Sequence, residues 1–225
     1  MIEDVDAIGF VRLDACMADD LSVVNAARVS FSQSSAEMDD KAKGLINFLM
    51  RERHGTPFEH NAFRFHIKCP IFVAREWFRH RIGSFNEFSA RYSVMKDEFF
   101  VPQKDDVRSQ SGKPGAYFFS PMSDDVSQSV VDIIRSANES SYAAYSQLVD
   151  AGVAKELARV VLPMGMYTEF YWTVNARALM NFISLRTAKT AQIDIQRYAN
   201  RVQAIFAQKM PVTFKAWVEN GSICP

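Results

Sequence analysis

The stretch RHRIGSFNEFSARY, residues 79–92, concentrates groups able to hold an anion. Arg79, Arg81, Arg91 and His80 face a single acid, Glu87, and the segment has no lysine. A guanidinium is a planar fork that pairs with phosphates and carboxylates through two parallel bonds, whereas a merely solvated basic face usually carries lysine. Ser84, Asn86 and Ser89 add short groups that both donate and accept hydrogen bonds. All four histidines lie between His54 and His80, and seven of the sixteen arginines fall between residues 51 and 91. The chemistry on offer is binding and charge stabilisation of an anionic ligand.

Other chemistries are less well supplied. HEXXH is absent, and the six-residue steps from His54 to His60 to His66 fit no helix face, so no metal site is expected. There is no GxSxG elbow, and Ser89 lies nine residues from His80 across a loop. Neither GxGxxG nor GxxxxGK[ST] appears, so a nucleotide would be held by side chains, arginine first. Formal net charge is zero and the pI about 6.9, which argues against long nucleic acid as partner. Cys16, Cys69 and Cys224 form no CxxC pair and no closed disulfide set; Cys69 reads as a small buried apolar residue. Without a basic, apolar leader at "MIEDVDAIGF" or a membrane-length apolar run, a cytoplasmic protein is expected.

The elements that must position these residues follow from pattern and punctuation. IGFVRLDA reads as a strand, and DDLSVVNAARVSF as a short helix capped by Asp19 or Asp20, with Leu21, Val24, Ala27 and Val29 near one face. AEMDDKAKGLINFLMRER reads as an amphipathic helix ended by Gly55. NAFRFHIKC alternates, with Phe63, Phe65 and Ile67 inward and Arg64, His66 and Lys68 toward solvent. PIFVAREWFRHRI reads as a helix opened by Pro70 and broken by Gly83, leaving Ser84 to Ala90 in a loop. RYSVMKDEFFVP suggests a strand, and residues 103–116 a mobile polar loop. A long helix from cap Ser123 to stop Gly152 follows, then VAKELARVVL ending at Pro163. The strand MYTEFYWTV, the helix ARALMNFISLR and a helix AQIDIQRYANRVQAIFAQKM stopped by Pro211 complete the chain. With hydrophobic residues at 48%, this order predicts one α+β domain over residues 1–225, an antiparallel sheet covered by helices.

RHRIGSFNEFSARY closely resembles the signature of the flavin-dependent thymidylate synthases: RHR, seven residues, then serine, in the fuller form RHRxxSxNExSxRY. Every fixed position is matched. HGTPFEH (54–60), FVAREWFRHR (72–81), YWTVNARALMNF (171–182) and SLR before AQIDIQ resemble the same family in the same order. The resemblance is weakest over 101–130 and at the C-terminus. It implies conversion of dUMP to dTMP, with methylenetetrahydrofolate as carbon donor, FAD as hydride carrier, NADPH as reductant and a homotetrameric assembly. The charge and hydropathy above lead to no nucleic acid or membrane being expected as partner, and the histidine spacing to no metal.

By that resemblance Arg186, in SLRTA, is the catalytic residue, holding charge that develops on the uracil. An arginine cannot act as the base, because its pKa stays above ~12. The resemblance places dUMP on Glu76, Arg79, Glu87, Ser89, Ala90, Arg91, Arg159 and Arg186. It places FAD on His54, Thr56, Arg79, His80, Arg81, Glu87, Asn175, Arg177 and Asn181, with Glu59 near the flavin. Plain structural readings stand beside these: Thr56 shaping the turn before Pro57, Arg159 solvated on a helix, Asn181 requiring a buried polar partner. Glu76 stands where relatives often have glutamine; a carboxylate repels phosphate, so it is expected on a ribose hydroxyl or an arginine. Thr190 stands where histidine is frequent. The competing class is a non-catalytic nucleotide- or RNA-binding module using the Arg79–Arg91 loop for phosphate contacts; a metal-dependent hydrolase ranks third.

Overall fold

Alternation of apolar residues, capping acids and a few glycines explain the elements of the computed structural model, which describes residues 1–225. Five strands, β1 (Ile2–Asp4), β2 (Phe10–Met17), β3 (Ala62–Pro70), β4 (Ser84–Glu87) and β7 (Tyr167–Asn175), form a sheet of order β1-β2-β3-β7-β4. β1–β2 and β2–β3 are antiparallel; Val11 faces Ile67 and Arg12 faces His66, with a bulge between Leu13 and Ala15. A separate hairpin pairs β5 (Arg108–Lys113) with β6 (Ala116–Pro121). The helices are α1 (Asp20–Arg28), α2 (Asp40–Arg51), α3 (Ile71–Trp77), α4 (Asp124–Asp150), α5 (Lys155–Ala158), α6 (Ala176–Arg186), α7 (Ile193–Lys209) and α8 (Pro211–Glu219). The architecture is therefore mixed α and β with an antiparallel sheet. No helix is long and apolar enough to cross a membrane.

The chain packs as two compact units, neither a continuous stretch. The first comprises residues 1–68, 75–86 and 169–225, the second 69–74 and 87–168. In the first unit, Phe63, Phe65 and Ile67 are fully buried, as the alternation requires. α7 packs on α6, α8 and β2. Trp77, Trp172 and Phe182 meet in its core with ring centroids 4.6–5.4 Å apart. In the second unit, Met95, Tyr145, Ala158 and Met166 form a buried cluster, and the Tyr145 hydroxyl accepts from Met95 N at 3.0 Å.

Caps fall close to their expected places. Asp19 caps α1 through Ser22 N at 2.6 Å, and Gly152 ends α4 in the left-handed region at φ +79. Ser123 occupies the N-cap of α4, but its hydroxyl makes no capping bond. In α1 the buried apolar residues are Val23 and Val24, while Val29 is exposed. α2 stops at Arg51, before Gly55; Arg53 takes the left-handed turn at φ 58. The physical reason for Gly55 is proximity, since a Cβ there would sit 2.5 Å from Arg177 Nε.

Other expectations need correction. α3 ends at Trp77, and residues 84–87 pair as β4 instead of looping. Gly83 permits this approach: a Cβ would meet Trp172 Nε1 at 2.8 Å and Thr173 O at 3.0 Å. Residues 91–102 form no strand, only a bridge between Phe99 and Met166. The expected mobile loop at 103–116 is mostly hairpin, its alternation hidden by polar residues on both faces. The polar side of β3 is not simply solvated. Arg12 Nη2 lies 2.7 Å from His66 Nδ1, His66 Nε2 lies 3.1 Å from Glu169 Oε2, and Lys68 Nζ lies 3.5 Å from Glu169 Oε1. Because a guanidinium only donates, neutral His66 accepts at Nδ1 and donates from Nε2 to Glu169.

Pro211 does stop α7, yet it also opens α8, which the sequence reading passed over. The buried Asp20 carboxylate accepts from Val212 N at 3.0 Å and Thr213 N at 2.8 Å. It satisfies two orphan donors of the first turn of α8. Asp20→Ala should lower the unfolding free energy by about 2 kcal/mol in urea titrations, with the m-value unchanged.

Candidate active site

The helix α6 begins where Asn175, last residue of β7, caps it by accepting from Ala178 N at 2.8 Å. From that start, Arg177, Asn181 and Leu185 recur every four residues along one face. They line a cleft of about 600 Å³ within the first unit, together with Glu59, Arg79, His80, Arg81, Ile82, Asn175, Ala178, Arg186 and Cys224. Seven of the predicted site residues thus converge here: Arg79, His80, Arg81, Asn175, Arg177, Asn181 and Arg186. Asn181 is exposed in the cleft, so it needs no buried partner, contrary to expectation.

Arg186 is held on three of its five N–H bonds. Nε donates to His80 Nε2 at 2.9 Å, Nη1 to Glu76 Oε2 at 3.3 Å and Nη2 to the Glu76 carbonyl at 3.1 Å. Glu76 therefore meets an arginine, the second of the two partners expected for it. Burial and the Arg186 charge together depress the His80 pKa from 6.5 to about 4. His80 is then neutral at pH 7, and because its Nε2 accepts from Arg186 its proton sits on Nδ1. Burial raises the Glu76 pKa, opposed by Arg186 and assisted by Asp194.

Arg79 and Arg81 differ from Arg186. Both are exposed, and among the described residues neither has a hydrogen-bond or ion-pair partner. Two unneutralised guanidinium groups lining one cleft suit a phosphate-bearing ligand. Arg177 is already engaged, donating to Glu59 Oε1 at 2.5 Å and to Pro225 O at 2.8 Å. Glu59 lines the cleft; His54 and Thr56 do not. The His54 ring packs edge-on against Phe48, and Thr56 opens a 3-10 turn, Thr56–His60.

The remaining predicted residues belong to the second unit. There the Glu87 carboxylate accepts from Thr168 Oγ1 at 2.7 Å. Ser89 O accepts from Tyr92 N and Ser93 N, both at 3.1 Å, which turns the chain and sets Arg91. Arg91 Nε reaches Glu156 Oε2 at 3.4 Å, and Arg159 Nε reaches Glu156 O at 3.3 Å. Ala90 packs against the buried cluster around Tyr145. Sequence reasoning missed Cys224 and Pro225, whose contacts with Arg177 span 47 and 48 residues and leave no local trace. Leu185 had a signal in the four-residue spacing from Arg177.

Such a cleft, arginine-lined and without a glycine loop, is a site whose side chains could hold an anionic ligand. No three histidine, cysteine or acidic residues group to hold a metal. The family described as "Thymidylate synthase complementing protein" matches residues 12–212. A flavin-dependent thymidylate synthase from Thermosipho africanus is 50% identical over 211 residues, 94% of this chain and 91% of that one. One from Thermus thermophilus is 41% identical over 215 residues, covering 94% of this chain and 76% of that one. The crystal structure of a UMP/dUMP methylase, PolB from Streptomyces cacaoi bound with 5-Br UMP, superposes with a TM-score of 0.90 at 41% identity. It covers 98% of both chains. The chain belongs to the flavin-dependent thymidylate synthase family.

The depressed pKa of His80 has a consequence for stability. Above pH 6.5 His80 is neutral folded or unfolded and contributes nothing pH-dependent. As pH falls from 6.5 through about 4, the unfolded chain takes up a proton that the folded chain refuses, so stability drops. An NMR titration should show the His80 ring changing charge near pH 4.

Proposed function

We propose that the protein methylates dUMP to dTMP, taking its carbon from methylenetetrahydrofolate and using FAD reduced by NADPH. One observation carries this reading: partner-free Arg79 and Arg81 line the same cleft as a three-point-clamped Arg186. The free pair suits a phosphate-bearing cofactor; the clamped one suits an atom whose charge appears only during reaction. The family membership and the likeness to a UMP/dUMP methylase support the same substrate class.

Before C5 of uracil can attack a one-carbon unit, negative charge must build at O4 and N3. Arg186 keeps one N–H on each of Nη1 and Nη2, a fork suited to those two neighbouring atoms. It acts as a preorganised cation and moves no proton. When bound, FAD supplies the hydride that completes the methyl group. Arg79, Arg81, Arg177, Asn175, Asn181 and His80 would hold it, with Thr56, His54 and Glu59 shaping its surroundings. Glu87, Ser89, Ala90, Arg91 and Arg159 would hold the nucleotide. The Arg91–Glu156 pair is exposed and long, so it is weak and readily exchanged for a phosphate dianion. The whole chain acts as one catalytic domain in this reading. Assembly as a homotetramer belongs to the same reading, and exposed Leu157, Val160 and Met164, beside Arg159, would offer apolar surface for self-association.

Purified protein should bind FAD and show a flavin spectrum; a colourless protein that gains none on FAD addition would remove the enzyme reading. Arg81→Ala should weaken FAD retention while dUMP binding suffers less, as read by absorbance after gel filtration and by calorimetry. Arg186→Ala should slow single-turnover oxidation of reduced flavin, at saturating dUMP and folate, by ~100-fold, a barrier rise of ~3 kcal/mol. Lysine at 186 should restore only part of this, because a point ammonium lacks the fork. A normal rate in Arg186→Ala would overturn its catalytic role.

A further inference from the structure

The clamp on Arg186 is built from the end of α3 and the turn after it. The last carbonyls of a helix have no partner within the helix. One of them, Glu76 O, accepts from Arg186 Nη2 at 3.1 Å, while the side chain of the same residue accepts from Nη1 at 3.3 Å. Glu76 thus holds both terminal nitrogens of one guanidinium. His80 completes the set from four residues on, its backbone N donating to Trp77 O at 3.0 Å. Its ring packs edge-on against Phe182, centroids 4.9 Å apart, about one helical turn of α6 before Arg186. Phe182 and Arg186 are four residues apart and share a helix face, so one imidazole is fixed by the first and fixes the second.

Glu76 is poorly placed to be a phosphate ligand, since its carboxylate carries the wrong charge. The charged groups facing it are Arg186 from α6 and Asp194 from α7. Asp194 is a like charge, itself held by Gln192 Nε2 at 2.7 Å, so of these two groups Arg186 is the donor that Glu76 can hold. Both side chains are mostly buried, Arg186 at 21% and Glu76 at 27% exposure. A bond in such a place holds geometry better than an exposed pair does.

We propose that Glu76 is a positioning residue: through its carboxylate and its backbone carbonyl it turns Arg186 so that one N–H on each terminal nitrogen faces the reacting ring. The proposal rests on the reading of Arg186 as the group that activates uracil. It requires a hydrogen-bond acceptor at the end of the side chain and does not require the negative charge. Glutamine has such an acceptor with the same reach, and alanine has none.

The test uses the FAD-loaded protein with Glu76→Ala and Glu76→Gln beside Arg186→Ala. Two quantities are read: the single-turnover rate of reduced-flavin oxidation at saturating dUMP and methylenetetrahydrofolate, and the dUMP dissociation constant by calorimetry. Glu76→Ala should slow the rate by ~30-fold while changing the dissociation constant by less than ~3-fold, and glutamine should recover the rate to within ~5-fold of the parent. A dissociation constant raised ~10-fold or more with an unchanged saturated rate would make Glu76 a nucleotide ligand and overturn the proposal. Equal slowing by alanine and glutamine would assign the effect to charge and overturn it as well. Should Glu76→Ala fail to fold, Glu76→Met, of similar length and without an oxygen acceptor, takes its place: a ~30-fold loss recovered by glutamine supports positioning, and a parent rate overturns it. Failure of the underlying reading looks different, because Arg186→Ala would then turn over at the parent rate. A slow Arg186→Ala with both Glu76 variants at the parent rate overturns the positioning role only.

Discussion

Trp77 is the residue on which the arrangement of the site depends. It is fully buried at the C-terminal end of α3, stacked on Phe182 of α6 at 4.6 Å and edge-on to Trp172 of β7 at 5.4 Å. It also meets Tyr198 of α7 at 6.3 Å. Aromatic pairs at these separations add to the large apolar area each ring buries. One side chain therefore sets α3, α6, α7 and β7 against one another. Glu76 and His80, immediately before and three residues after it, inherit their positions, and so does Arg186 one turn beyond Phe182. The cost is visible: the indole nitrogens of Trp77 and Trp172 are buried without a hydrogen-bond partner. An unmet donor costs about 1–3 kcal/mol, which the packing of the surrounding aromatic rings must offset.

On that frame the charges divide by function. Arg186 is desolvated and clamped, so its orientation is fixed before any ligand arrives; Arg79 and Arg81 are exposed and without partners, so they are ready to be neutralised. The neutral imidazole of His80 makes the first state possible. A protonated His80 would place two cations in contact at 2.9 Å, and burial together with the Arg186 charge holds that form back until about pH 4. The chain's zero net charge hides this arrangement entirely, because acids elsewhere cancel the local excess.

Elements governed by local rules were legible in the chain. The alternation in NAFRFHIKC, the cap at Asp19, the stop at Gly152 and the run of α6 all rest on contacts within a few residues. Legibility failed where a distant partner decided. β4 forms because Gly83 lets the chain close on Trp172 and Thr173 of β7, ninety residues away. α2 ends at Arg51 with the left-handed turn at Arg53, and Gly55 instead makes room for Arg177. β5 and β6 stabilise each other, although neither shows the alternation of a half-buried strand.

The sequence by itself determined the chemical inventory: which residues carry donors, which can stay charged, and that a nucleotide here must be held by side chains. It also determined the family, because RHRIGSFNEFSARY fixes donors at spacings too specific to arise from burial alone. Only the tertiary structure decided what each donor does. Arg79, Arg81 and Arg186 are the same residue type, and nothing local separates them. Folding buries one against Glu76 and His80 and leaves the other two exposed. Charge state and orientation depend on solvent access and on neighbours up to 110 residues away, and those are properties of the packed chain.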